Sequence, residues 1–276
     1  MLSSEGHPAS DILKNVNLPV KEVHSSKTRI SLKQLMAACK NALRLSKDRH
    51  LAYRIGASIH ISTYGMYGFA ILCCPDFRKT MQFATQYHML AAPLATISFS
   101  EESGSAIWTI EPNLHAATDP PLYRFITEMQ IGIHISLMRD VMGPAFAPDE
   151  VCLTYPAGDA GLPEDQIGCG VRFAKPANKI AFRSAWLEQE ASLGNKTTYP
   201  SIVALCDDLL DDLILRIGIA GKVRELMLTD IANPPTCSAA ARLLAMNDRS
   251  LRRKLRQQGL SYRSLLDELR TQIALK

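Results

Sequence analysis

The sequence lacks the long apolar run that a membrane-spanning helix requires. Its longest nearly uncharged apolar stretch, residues 64–75, is about a dozen residues long, whereas a helix that spans a bilayer needs about 20. Residues 1–16 also lack the basic segment followed by an apolar segment that marks an export signal. We therefore expect a cytoplasmic protein with no membrane partner.

Paired cysteine motifs are lacking too. The 7 cysteines are scattered along the chain, and none of them forms a C-x-x-C pair. We interpret them as reduced, mostly buried, small apolar side chains. The adjacent Cys73 and Cys74 leave open an oxidant sensor or a soft-metal site, although neighbouring residues in a strand point to opposite faces.

No common catalytic motif occurs in the chain. It has no G-x-S-x-G, no H-E-x-x-H, no P-loop, no dinucleotide-binding fingerprint and no Cys/His spacing typical of zinc. We therefore expect no enzymatic activity, no cofactor and no metal, although Cys and His side chains far apart in sequence could still meet in the fold.

The chain has 276 residues, a length that allows one large domain and one small one. Charge is distributed unevenly along it. Residues 221–276 hold 11 Lys and Arg against 5 Asp and Glu, a net charge of +6, whereas the preceding residues carry 20 against 22, or −2. Such asymmetry is typical of a nucleic-acid-binding segment attached to a neutral or acidic body.

Helical and strand patterns are mixed over residues 30–195, which predicts an α+β fold with antiparallel strands. Helices are predicted from Ser31, after Asp76, and over residues 120–143. Strands are predicted in four places: a hairpin at 95–110, then VCLTY, IGCGVRFA and KIAFR. The glycine-punctuated residues 55–74 are rich in β-branched and aromatic side chains, which predicts a strand, a tight turn and a buried segment.

The segment 200–217 presents apolar residues at heptad spacing opposite a row of aspartates. The seam consists of Val203, Cys206, Leu210, Leu213 and Ile217. Two heptads fall short of a convincing coiled coil, so two alternatives stay open. The helix packs on its own domain, or it contacts a second copy of the chain.

The residues after Pro235 predict three helices in succession. Thr236 can cap a short helix that runs to about Met246, and Asn247 and Asp248 can cap a second over 248–258. A third helix is predicted to begin at Ser261. Two short helices joined by a tight turn make a helix-turn-helix arrangement, and this unit is all-α.

The second of these helices has two distinct faces. Leu251 and Leu255 form its buried stripe, while another face carries four arginines: Arg249, Arg252, Arg253 and Arg256. Guanidinium groups pair bidentately with phosphate or with guanine, which favours double-stranded DNA read in the major groove. The alternative is a solvated, charge-rich surface helix that binds nothing.

The stretch ARLLAMNDRSLRRKLRQQGLSYRSLLDELR, residues 241–270, resembles the first helix-turn-helix of the AraC/XylS family of transcription regulators. STYGMYGFAILC at 62–73, LYRFITEMQIGIHISLMRDVMG at 122–143 and the G-C-x-V-x-F run at 168–173 resemble the N-terminal arabinose-binding-like sensor domain of one branch of that family. The resemblance covers nearly the whole chain from about residue 30.

The resemblance implies an effector-responsive, DNA-binding regulator. Arg249, Arg252 and Arg253 would reach base edges, and Lys254 and Arg256 would lie nearer the DNA backbone. The N-terminal half would bind an unknown small-molecule effector and form a homodimer.

Four parts follow along the chain. They are a mobile segment at 1–29, a sensor and dimerisation domain at 30–195, a linker helix at 196–220 and a first helix-turn-helix unit at 221–276. Family members carry two such units, and this chain ends inside the expected joining helix, so we expect poor or non-specific DNA binding. The alternative function is a truncated dimerisation or effector-binding module without specific DNA binding of its own.

Five side chains in the predicted sensor domain are candidate effector contacts. Each has an amphipathic side chain among apolar neighbours, which suits a mostly apolar pocket with a few orienting polar groups. They are His60, Tyr64, Tyr67, Trp108 and His134. Ordinary core packing is the alternative for each of them, and for His134 in particular a hydrogen bond within the core.

Overall fold

The computed structural model describes residues 2–25, 28, 30–91, 94–158, 162–230, 233–257 and 260–274. The chain divides into two compact units, Met1–Val203 and Ala204–Lys276. No described helix combines the length and the apolarity needed to cross a bilayer.

Seven α-helices lie within the described residues of the first unit before Tyr199. They are α1 Ala9–Ile12, α2 Leu32–Leu45, α3 Leu51–Ala57, α4 Gly65–Cys73, α5 Phe77–Gln86, α6 Pro120–Met142 and α7 Glu164–Ile167. Side chains cap three of them, because Ser31, Asp76 and Asp119 each accept a hydrogen bond from a backbone N–H of the first turn. The predicted helix starts at Ser31 and after Asp76 are confirmed, as is the long helix that Pro120 begins.

Helical turns also occur before Ser31. Residues Leu2–Glu5 and Val20–Glu22 form short 3-10 helices, and the side chains of Leu2 and Val16 are buried. The mobility of residues 1–29 stays a prediction.

A five-stranded mixed sheet completes the first unit. Its strands are β1 Ala95–Glu102, β2 Ser105–Pro112, β3 Glu150–Cys152, β4 Gly170–Arg172 and β5 Lys179–Arg183, in the order β1-β2-β5-β3-β4. The predicted hairpin is confirmed, with a two-residue turn at Ser103 and Gly104, both at positive φ. The expectation of antiparallel strands throughout is wrong at β4, which pairs parallel to β3.

Residues 55–74 form no strand, so that prediction is wrong. They fold into the end of α3, a 3-10 turn at Ile61–Tyr64 and α4. Only glycine fits at position 56, because α3 crosses α6 there and a Cβ on Gly56 would lie 2.0 Å from the carbonyl oxygen of Met129. Gly132 on α6 has the same role, since its Cβ would lie 2.4 Å from the carbonyl oxygen of Tyr53.

The second unit is helical. α8 Tyr199–Ile217 crosses the boundary between the units, and α9 Ile219–Thr229, α10 Cys237–Leu243, α11 Asp248–Gln257 and α12 Tyr262–Ala274 follow. α9 packs against α11 and α12, and α10 packs against α11. Their shared core is apolar and includes Val223, Met227, Ala240, Leu251 and Leu265. An α+β unit is thus followed by an all-α unit, as the sequence predicts.

The predicted helix at 200–217 is confirmed as α8. Cys206 of the heptad seam is buried, whereas Leu205 and Leu209, which lie beside the seam, are exposed. The choice between packing on its own domain and contact with a second copy stays open.

Candidate nucleic-acid interface and ligand cavity

Side-chain caps define the helices of the candidate DNA-reading motif. The Thr236 hydroxyl accepts a hydrogen bond from the Ala239 N–H (3.2 Å), and the Asn247 carboxamide oxygen accepts one from the Ser250 N–H (2.7 Å). The Ser261 hydroxyl accepts another from the Ser264 N–H at the start of α12. The predicted N-terminal caps at Thr236, Asn247 and Ser261 are confirmed.

The turn between α10 and α11 is a Schellman motif built on an alanine. The Met246 N–H donates to the Ala241 carbonyl (2.9 Å), and the Ala245 N–H donates to the Arg242 carbonyl (3.0 Å). Ala245 lies at φ 54°, the left-handed region that glycine normally occupies at this position. The tight turn therefore forms without glycine.

The two faces of α11 are separated as the sequence predicts. Leu251 and Leu255 are fully buried in the core of the second unit. The opposite side exposes five cationic side chains: Arg249, Arg252, Arg253, Lys254 and Arg256. The predicted end of this helix, at Gln258 and Gly259, lies outside the described residues.

One of these arginines has an acidic partner. The Arg252 Nε donates to Asp248 Oδ2 (2.8 Å) one helical turn earlier, and this bond holds the pKa of the Asp248 carboxyl below its usual value. Ion pairs at the solvent-exposed surface contribute little to stability, so this pair orients the guanidinium without sequestering it. Within the described part of the chain, Arg249, Arg253 and Arg256 form no ion pair.

The first unit contains a cavity of about 480 Å³ that is partly open to solvent, and its volume lies in the size range of ligand pockets. Residues of α1 to α6, β1 and β2 contribute to its wall. Most of the wall is aliphatic or aromatic, as in Leu35, Ile59, Met81, Phe125 and Ile133. No Lys, Arg, Asp or Glu is among the described residues that line it.

Several neutral polar side chains interrupt the apolar wall, and Trp108, Gln130 and His134 are three of them, on β2 and α6. Trp108 on β2 is 1% exposed, and its ring makes an edge contact with that of His134 on α6, with the centroids 5.4 Å apart. Gln130 lies four residues before His134 and lines the same cavity, because residues at i and i+4 share a helix face. Burial lowers the pKa of His134 to about 4, so its imidazole is neutral at pH 7.

Two of these polar groups have unfulfilled hydrogen-bonding capacity. Nε1 of Trp108 and Nε2 of His134 are buried and have no hydrogen-bond partner among the described residues. A buried polar atom without a partner costs about 1 to 3 kcal/mol.

The structure brings together four of the five candidate effector contacts. Tyr64, Tyr67, Trp108 and His134 all line the cavity. His60 is 61% exposed at its side chain and does not line it; its Nδ1 lies 3.0 Å from Asp140 Oδ1. Asp140 also accepts from the Ile61 N–H (2.8 Å), so His60 belongs to a surface cluster that anchors the turn before α4.

Sequence reasoning missed Gln130. A glutamine in the middle of the predicted apolar face of α6 was the one indication in the sequence, since buried amides need partners. Its relation to Trp108 depends on how β2 packs against α6, which the sequence pattern does not express.

The cysteines form no reactive cluster in the described structure. All 7 are free thiols, and burial raises the pKa of Cys74 to about 12. No group of three or more His, Cys, Asp or Glu residues in the described ranges is arranged to hold a metal ion.

The chain combines a helix-turn-helix, whose second helix is cationic, with another unit that contains a ligand-sized cavity. This is the organisation of an effector-responsive transcription regulator. Residues 6–191 match the N-terminal arabinose-binding domain of AraC transcription regulators. The chain belongs to this family, and the resemblance found in its sequence is confirmed.

Proteins named as transcription regulators are similar to most of the chain. The ornithine utilization regulator of Pseudomonas aeruginosa is 27% identical over 240 residues, which cover 86% of this chain and 69% of that protein. An HTH-type transcriptional regulator of Mycobacterium tuberculosis is 25% identical over 99% of this chain and 80% of its own length.

A solved structure has a similar fold. The transcriptional regulator CdpR from Pseudomonas aeruginosa matches with a TM-score of 0.56 and 18% identity, covering 86% of this chain and 77% of that one. At this identity the likeness concerns the fold alone.

Proposed function

We propose that α11 enters the major groove of double-stranded DNA. Arg249, Arg252 and Arg253 contact base edges there, and Lys254 and Arg256 contact the phosphate backbone. The observation that carries this proposal is the outward cationic face of α11 opposite the buried Leu251 and Leu255.

The pair between Arg252 and Asp248 is compatible with this role. It engages Nε of the guanidinium, which leaves the two terminal nitrogens to form a bidentate contact with guanine O6 and N7. Asp248 then acts as the group that orients Arg252.

Selection of duplexes from a random-sequence library by the full chain tests base reading. Because a single helix-turn-helix unit is expected to bind poorly, we expect only weak enrichment of a sequence at low salt. On that sequence we expect Arg249→Ala and Arg253→Ala each to cost about 1 to 3 kcal/mol of binding free energy and to relax selection at one position. Arg263→Ala is the matched control, since Arg263 lies on α12 and is highly exposed.

Two outcomes would contradict base reading by α11. In the first, an enriched sequence is bound equally well by the wild type and by both α11 variants. In the second, all three variants, including the control, bind more weakly by the same factor, which would indicate a general charge effect.

We also propose that residues 30–195 bind the effector and hold a homodimer. Residues 196–220 would then serve as the linker and 221–276 as the DNA-binding unit. The cavity supports the effector site, and Tyr64, Tyr67, Trp108 and His134 are its proposed contacts; His60 is the candidate that lacks this support. The protein would act in the cytoplasm, where its DNA is, and without catalysis.

A second candidate function is an effector-binding and dimerisation module without specific DNA binding of its own. The cavity in the first unit favours it, because a ligand site there needs no contribution from α11. A library selection that enriches no sequence, together with a dimer in light scattering, would support this function over the first.

A further inference from the structure

We infer that the effector is a neutral, mostly apolar molecule with one oxygen-bearing polar group, held in the cavity with that group at Trp108, Gln130 and His134. This rests on the proposed effector function and adds to it the chemical class of the ligand. Neither a sugar nor an amino acid belongs to that class.

The size of the cavity bounds the ligand. Its volume is about 480 Å³, which lies in the range of pockets that bind small organic molecules. Most atoms of such an occupant meet aliphatic and aromatic walls and are therefore expected to be carbon, because a polar atom buried without a partner is costly.

The absence of charged side chains excludes strongly polar ligands. No Lys, Arg, Asp or Glu lines the cavity in the described ranges, so an ammonium or a carboxylate would be buried without a counter-ion. The His134 imidazole gives no cation either, since its pKa lies at about 4. The other lining histidine, His88, donates from Nδ1 to the Thr85 carbonyl (2.9 Å), and this bond fixes the orientation of its ring.

The polar end of the cavity suits a carbonyl or a hydroxyl group. The Trp108 indole N–H can only donate, so the ligand atom beside it must accept. A neutral imidazole and a carboxamide can each donate or accept.

Isothermal titration calorimetry on the full wild-type chain tests the class of ligand. The probes are 2-nonanone, 1-nonanol, nonanoate, L-arabinose and L-ornithine at pH 7.5. We expect the ketone and the alcohol to bind with dissociation constants in the micromolar range and nonanoate to bind at least about a hundredfold more weakly, because its charge is buried without a partner. We expect no binding of the sugar or the amino acid at millimolar concentration.

The polar contact is tested by a matched pair of tryptophan variants. Trp108→Phe removes the indole N–H and keeps an aromatic ring, and we expect it to weaken 2-nonanone binding about tenfold. Trp186→Phe is the control, since Trp186 packs on Phe146 and does not line the cavity; we expect it to leave the affinity unchanged. The titrations of the wild type decide the class of ligand even if Trp108→Phe does not fold.

Three results would overturn the inference. They are tighter binding of nonanoate, arabinose or ornithine than of the ketone and alcohol, no binding of either neutral probe at millimolar concentration, and unchanged ketone affinity in a folded Trp108→Phe. These titrations contain no DNA, so they fail or succeed independently of DNA reading by α11. If a charged or sugar probe binds in the cavity, the effector function stands and only the ligand class is wrong.

Discussion

Replacing Gly132 with alanine should destabilise the first unit, although alanine is the better helix former. Gly132 lies inside α6, where the change from glycine would by itself stabilise the helix by about 1 kcal/mol. The new Cβ, however, would lie 2.4 Å from the Tyr53 carbonyl oxygen and 2.8 Å from the Ala57 backbone nitrogen. Both opposing atoms belong to a backbone, so no side-chain rotation relieves the clash.

The magnitude follows from that geometry. An ordinary carbon-to-oxygen contact is about 1 Å longer than the distance that the Cβ would have, so α3 and α6 must move apart in a close-packed core. Overpacking of this kind costs about 1 to 3 kcal/mol or somewhat more. For a unit of this size each kcal/mol lowers Tm by about 2 to 4 °C, which gives an expected decrease of about 2 to 12 °C.

Differential scanning calorimetry of the full chain measures the effect. Gly170→Ala is the control, because no atom lies within 4 Å of the position of its added Cβ; its transition should stay within about 2 °C of the wild type. A Gly132→Ala transition at or above that of the wild type would refute the close crossing of α3 and α6.

Three further predictions concern single positions. Ala245→Gly should raise the unfolding free energy of the second unit by about 0.5 to 1 kcal/mol, since glycine adopts the observed φ of 54° without strain; a lower denaturation midpoint in urea would contradict the Schellman turn. Arg124→Met should lower the unfolding free energy of the first unit by about 3 kcal/mol, because it leaves the buried Glu128 without the guanidinium 2.7 Å away. The check is the double variant Arg124→Met, Glu128→Gln, which should be less destabilised than Arg124→Met alone. The unfolding free energy should fall as pH drops from 6.5 towards 4. The reason is that His134 binds a proton at the ordinary histidine pKa in the unfolded chain but only near pH 4 in the folded chain. The unfolding free energy of His134→Gln should fall less steeply with pH, and equal slopes for the variant and the wild type would contradict the burial of His134.

Local chemistry made several elements predictable from the sequence. The caps at Ser31, Asp76 and Thr236 each satisfy backbone N–H groups within three residues, so their effect needs no knowledge of the rest of the fold. The two faces of α11 are predictable for the same reason, since helical periodicity alone separates Leu251 from the arginines.

Other features depend on contacts between distant segments. Residues 55–74 have the composition of a strand, but Gly56 is required by the backbone of α6, more than 70 residues later in the chain. Tertiary packing therefore overrides local preference there. The parallel pairing of β4 with β3 likewise cannot be predicted from any local sequence pattern.

The two candidate sites differ in the same way. The cationic face lies on one helix, so its residues are all predictable from helical periodicity, whereas the cavity draws on residues from Leu2 to Val141. Amphipathic character pointed to Trp108 and His134 individually. Their contact, and the addition of Gln130, arise only when β2 packs on α6.

The salt dependence of DNA binding tests the outward cationic face of α11 most directly. Fluorescence anisotropy with a labelled duplex between 50 and 300 mM NaCl gives the slope of log K against log salt, which changes by about 0.9 for each phosphate that the protein no longer neutralises. The account predicts that the double variant Lys254→Ala, Arg256→Ala reduces the slope by about 1.8. It also predicts that the control pair Arg183→Ala, Lys196→Ala, two exposed cations of the first unit, leaves the slope unchanged. An equal slope for the wild type and both double variants would contradict the account.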